Sequence, residues 1–141
     1  MSIRQPSLVR LRSASLCGLV CLLLSGAPAS AVEPDKFLVR TTADLVALCA
    51  ADPNQENYVA ALHFCHGFAS GAYQFYSTIA AAIPNERFVC PPNPPPTRTA
   101  AINEFVAWTK QNPNFDSAPP VDSMFRFLGT RYPCAPGTAS R

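Results

Sequence analysis

Histidine and cysteine are the residues that could carry chemistry in this chain of 141 residues. His63 and His66 flank Cys65 in the run His63-Phe64-Cys65-His66. On a helix that spacing sets the imidazoles about one turn apart, where they could share a metal ion or supply a base. Neither use finds the rest of its machinery. No H-E-x-x-H, G-x-S-x-G or G-x-x-x-x-G-K pattern occurs. A zinc site would call for C-x2-C or H-x3-H, and neither is present. Cys65-His66 ends like a haem-attachment C-x-x-C-H, but Leu62 stands where the first cysteine must be. The acidic residues scatter near expected helix starts and loops, where a helix N-terminus favours negative charge. The two histidines therefore read as part of a polar helix face. The chain reads as a binding domain rather than an enzyme, with no catalytic residue, cofactor or metal expected.

The cysteines acquire their meaning from the N-terminus. Residues 1–31 hold Arg4, Arg10 and Arg12, no acidic side chain, an apolar run from Leu16 to Leu24, and Ala29-Ser30-Ala31. These are the parts of a secretory signal peptide, with cleavage expected before Val32 and export to the periplasm. Residues 32–141 then form one domain. Losing three of the eleven basic residues leaves eight against nine acidic ones, a formal charge of about −1. That balance leaves no basic patch for nucleic acid. No second stretch approaches the ~18–20 apolar residues of a membrane span, so no membrane attachment is expected after cleavage. Cys17 and Cys21 leave with the leader. Cys49, Cys65, Cys90 and Cys134 remain, and four cysteines in a small exported domain imply two disulfides.

The elements that must position these residues are helical. β-branched residues are sparse, and prolines punctuate the chain. Helical periodicity predicts four helices, at about 42–50, 55–83, 98–111 and 118–132. Thr41 with Asp44 forms a capping box for the first, and Ser117 is the expected N-cap of the fourth. In the second, Tyr58, Leu62, Cys65, Ala69, Ala72, Tyr76, Ile79 and Ile83 share an arc, with Phe64, Phe68 and Phe75 on its flank. That apolar sector of roughly 200° predicts a central helix covered on two sides. Gly67 and Gly71, each costing up to ~1 kcal/mol of helix propensity, predict a close approach by another helix, with a kink or a partner contact as the alternatives. Ile102, Phe105, Val106 and Thr109 line the third helix; Val121, Phe125 and Leu128, with Met124 beside them, line the fourth. The proline run 91–96 is an ordered connector or, on a narrower reading, a docking segment for an SH3-like domain. The fold class is thus all-α: a small disulfide-stapled bundle of about four helices. If the last three helices run up, down and up, Cys90 meets Cys134 and leaves Cys49 to Cys65, one of three possible pairings.

One ordered set of residues goes further. Thr42-Ala43-Asp44-Leu45, Leu48-Cys49, Cys65-His66-Gly67-Phe68 with Gly71, Cys90-Pro91 and Tyr132-Pro133-Cys134 resemble the Rap/Tai family of immunity proteins over about residues 37–136. The resemblance implies an all-helical, periplasmic and often dimeric protein. It also implies a partner, a peptidoglycan amidase effector delivered by type VI secretion, which the protein binds and inhibits by occluding its active site. The expected contacts are the connectors 52–58 and 112–117, with Asn54, Gln55, Asn114, Phe115 and Asp116. Phe115 is the sort of aromatic anchor found at hot spots, unless its ring folds back onto the bundle. The alternative is a non-catalytic periplasmic structural or chaperone-like domain without a dedicated effector.

Overall fold

A computed structural model describes residues 31–135. The expected leader, apart from Ala31, and the tail beyond Ala135 lie outside them. Four α-helices, α1 (Thr42–Cys49), α2 (Tyr58–Ala82), α3 (Arg98–Gln111) and α4 (Pro120–Arg131), are accompanied by short 3-10 turns, one before α1 at Pro34–Leu38 and two in the connections after α2 and α3, at Pro84–Glu86 and Pro113–Phe115. Among the described residues the sole β-type pairing is an isolated bridge between Val89 and Pro133. The all-helical class read from the sequence is the class observed.

The shortest helix occupies the centre. α1 starts where the capping box predicts: Thr41 Oγ1 accepts from the Asp44 N–H, and the Asp44 carboxylate accepts from the N–H groups of Thr41 and Arg40. Leu45 and Leu48 are almost fully buried, and each belongs to one of the two apolar clusters that make up the core. α1 touches all three other helices. Its first residue, Thr42, is sealed from solvent, with Oγ1 2.9 Å from the Ala118 carbonyl and 2.7 Å from Ser123 Oγ.

Both disulfides hold this arrangement, and their pairing is the one the up-down-up topology favoured. Cys49–Cys65 ties the end of α1 to α2, and Cys90–Cys134 ties the proline-rich connector to the end of α4. Beside the second bond, the Cys90 N–H donates to the Tyr132 carbonyl and the Cys134 N–H to the Phe88 carbonyl. Tyr76 of α2 secures the same connector, its hydroxyl accepting from the N–H groups of Phe88 and Val89 at 2.8 Å.

Three local expectations need correction. α2 begins at Tyr58 rather than Gln55, because residues 52–57 form hydrogen-bonded turns. Asn57, at the N-cap of α2, does not cap it. Its side-chain amide instead holds the backbone of Val32, accepting from the N–H at 2.9 Å and donating to the carbonyl at 2.7 Å. Ser117 is not the cap of α4, which starts after Pro119. The buried side of α4 runs through Ser123, Met124, Phe127 and Leu128, and Val121 is exposed.

The largest correction concerns α2, which is not covered on two sides. At 25 residues it spans about 37 Å, far more than α1 or α3 can cover. Its core face runs through Ala61, Cys65, Ala69, Ala72 and Tyr76, so the expected arc packs in its middle and not at Ile79 and Ile83. Phe75 is 71% exposed, and Phe64, Ile79 and Ile83 are also open. No helix approaches Gly67 or Gly71: a Cβ built on either meets nothing within 4 Å.

The capping box makes stability depend on pH. Burial pushes the Asp44 carboxyl up, but hydrogen bonds from Lys36 and from Thr41 outweigh it, so the group is held below its ordinary value. A depressed carboxylate contributes stability that is complete above its unfolded value and is lost as pH falls through the folded one. Asp44→Ala should therefore lower the unfolding free energy by about 1 kcal/mol near neutrality. Paired denaturant titrations of mutant and parent should show that gap closing as pH falls below about 4.

Candidate functional site

A groove formed by the turn Pro113–Phe115, α4 and the chain leading to Cys90 gathers the aromatic and basic side chains of one surface. The turn is built by local hydrogen bonds, Phe115 N–H to the Asn112 carbonyl and Asp116 N–H to the Pro113 carbonyl. Asn112 donates its amide to the Trp108 carbonyl at 2.8 Å and so fixes the turn to the end of α3. On the other side, the carbonyls of Asp116 and Ala118 accept from the N–H groups of Ala43 and Thr42. A loop anchored at both ends in this way is ordered before any partner arrives.

Phe115 is half-buried, its ring folded back onto the bundle rather than fully exposed. Its ring stacks on Trp108 with centroids 5.1 Å apart, and the Arg126 guanidinium lies 5.6 Å from the Phe115 centroid. Arg126 also pairs with Asp122 at 2.9 Å in an exposed contact. Behind them Trp108 meets Phe105 and Phe127 of the core. Farther along the groove, Phe88 packs on Tyr76 and Phe125 and remains 46% exposed. Gly129 permits that approach, since a Cβ there would sit 3.1 Å from the Phe88 ring. Arg87 lines the same groove and forms no ion pair with a described residue.

The five expected contact residues fall into two separate places. Asn114 and Asp116 flank Phe115 and are exposed. Asn54 and Gln55 lie beyond the opposite end of α1, a helix of eight residues and about 12 Å. Both are engaged locally: the Asn54 backbone and amide donate to Asp52 Oδ1 at 2.8 and 2.9 Å, and Gln55 accepts from the Asp52 N–H at 3.1 Å. Sequence reasoning missed Arg87, Phe88 and Arg126. Phe88 and Arg87 sit in a connector without periodicity, so no sequence signal singled them out. Arg126 follows Phe125 of the expected apolar stripe and was legible only as part of a solvated face.

His63 is exposed and His66 half-buried. Among the described residues no group of three or more His, Cys, Asp or Glu is placed to hold a metal ion. The charges that are tightly bound serve the scaffold. Glu104 of α3 accepts from Arg131 Nε at 2.8 Å and from the Tyr132 hydroxyl at 3.0 Å. Those two bonds, Arg131 first, hold the Glu104 carboxyl below its ordinary value, while burial and then the bond to Glu104 raise the Tyr132 phenol. No helix among the described residues is long and apolar enough to cross a membrane.

The family model described as Rap1a immunity proteins covers residues 41–134, from the capping Thr41 to the last cysteine. No curated protein and no solved structure matches the chain.

Trp108 is the single tryptophan and reports directly on this groove. Phe115→Ala should shift Trp108 emission to longer wavelength and cost about 1 kcal/mol of stability, the worth of one aromatic stack. Fluorescence spectra and urea titrations of the two proteins read both effects.

Proposed function

The chain belongs to the Rap1a immunity protein family, and we propose that it acts in the periplasm as the stoichiometric inhibitor of a secreted peptidoglycan amidase of type VI secretion. The carrying observation is the Phe115 groove: a half-buried aromatic stacked on tryptophan, beside an arginine, on a loop held at both ends. Aromatic and arginine side chains in one pocket are the composition of interface hot spots. The ordering of the loop in the free protein reduces the entropy lost on docking. Occlusion asks only for shape and hydrogen bonds from the inhibitor, so the protein supplies no chemistry of its own. In this reading Phe115 and Arg126 seat against the amidase, with Asn114 and Asp116 at the rim; Asn54 and Gln55 lie outside the primary contact.

For the homodimer implied by the family resemblance, the exposed side of α2 is the surface we propose. At 100° per residue, Phe64, Gly67, Gly71 and Phe75 fall within about 60° of one line along α2; Phe64 is partly covered by Phe37, and Gly67, Gly71 and Phe75 face solvent. Two copies crossing at the glycines would cover the aromatic side chains beside them. Tyr76, on the other side of the helix, faces the groove through Phe88 and Phe125. A dimer of this kind leaves both grooves open.

Two measurements test the proposal. Titrating a candidate effector, a secreted amidase from the same genome, with the mature protein should abolish peptidoglycan cleavage at one chain per enzyme. Phe115→Ala should weaken the complex by about 2 kcal/mol, or roughly thirtyfold. Failure to inhibit any secreted amidase would favour the general periplasmic binding domain. For the dimer, Gly71→Leu should convert the protein to monomer in sedimentation analysis with its circular dichroism unchanged. An unaltered oligomeric state would move the seam elsewhere.

A further inference from the structure

A second concave feature lies apart from the groove and shares no residue with it. It is a cavity of about 340 Å³ between α2, the first turns of α3 and the proline run. Its volume is at the small end of the range found for small-molecule sites. The inner side is the core itself, with Ile102, Phe105 and Met124. The outer side is formed by Tyr73 of α2 and by Pro95, in a segment whose stiffness keeps it from collapsing inward. Arg98 is the one charged residue that lines the cavity. It is exposed and pairs with no carboxylate of the described residues.

We propose that this cavity binds a medium-chain anionic amphiphile, with its alkyl chain against Phe105 and Met124 and its carboxylate at Arg98. Size and charge both select that class. At ~30 Å³ for a water-sized group, the volume takes roughly ten methylene-sized units. A lining with one cation and no anion favours a negative head and offers a positive head no partner. An apolar body with a single charged end matches a site that is mostly apolar, with Ser70 and Gln74 as neutral polar groups at its edge and Arg98 as its one charge.

The test uses the mature chain, residues 32–141, in which Met124 is the single methionine. Decanoate is titrated below its micelle-forming concentration, with the ¹³C-labelled Met124 methyl followed by NMR and heat by calorimetry. The expected result is one decanoate per chain and a Met124 shift that saturates. Ala101→Phe fills the cavity and should weaken decanoate binding by more than about tenfold, with melting unchanged. Arg98→Gln lies on the surface and should weaken decanoate about threefold while leaving decan-1-ol unaffected. If Ala101→Phe fails to fold, the contrast between decanoate and decan-1-ol in Arg98→Gln decides alone. An unmoved Met124 methyl, or saturable binding indifferent to both substitutions, overturns the proposal. So does an Ala101→Phe protein that retains its fold, leaves decanoate binding intact and loses association with the amidase or with its own copies, since the cavity is then a protein seat.

Discussion

A pair of buried hydroxyls at the first residue of α1 organises this fold. Thr42 and Ser123 are both sealed from solvent, 2.7 Å apart, and the Ala118 carbonyl completes the set. A buried polar group left without a partner costs about 1–3 kcal/mol, so this cluster tolerates essentially one arrangement of α1 against α4. The same residues fix the loop that carries Phe115, because the Thr42 N–H also bonds the Ala118 carbonyl. Core and candidate interface thus hang from one point. Among the described residues no buried side-chain polar atom lacks a partner.

Placing the shortest helix at the centre has a geometric cost for the longest. α1 and α3 reach one side of α2; on the other, Phe37 of the turn at Pro34–Leu38 packs edge-on against Phe64, and the length from Gly67 through Phe75 is left uncovered. In a domain of about 100 residues the surface is large relative to the volume, and some apolar area must stay outside. Here that area is concentrated along one helix, in a row of aromatic side chains and glycines, rather than scattered. Concentration of that kind is the usual mark of a surface that meets another protein.

Much of this architecture was legible in the sequence, and what was not has identifiable physical causes. The capping box at Thr41 and Asp44 marked the start of α1 because it is local chemistry. The prolines marked helix ends for the same reason. Ile102, Phe105, Val106 and Thr109 revealed the buried side of α3 through period alone. Periodicity reports how wide an apolar sector is, but not what covers it. For α2 it could not distinguish a second helix of the same chain from open solvent. The Phe115 groove was half visible: its aromatic anchor stood in a conspicuous connector, whereas Phe88 and Arg87 come from a segment more than 25 residues earlier, held to α4 by the Cys90–Cys134 bond, by backbone hydrogen bonds beside it and by packing of Phe88 on Phe125, and to α2 by the Tyr76 hydroxyl. Contacts brought together by a distant crosslink leave no trace in local pattern.

The two disulfides join cysteines that are neighbours in chain order, Cys49 with Cys65 and Cys90 with Cys134, and their loops neither nest nor interlock. For a polypeptide threaded N-terminus first into an oxidising compartment, each cysteine meets its native partner as the next thiol to emerge. The first loop can close while the second pair is still on the far side of the membrane. For a chain threaded in that way, oxidation in order of emergence arrives at the native crosslinks directly, with no wrong pair to isomerise, the slow step of chains whose partners are not consecutive.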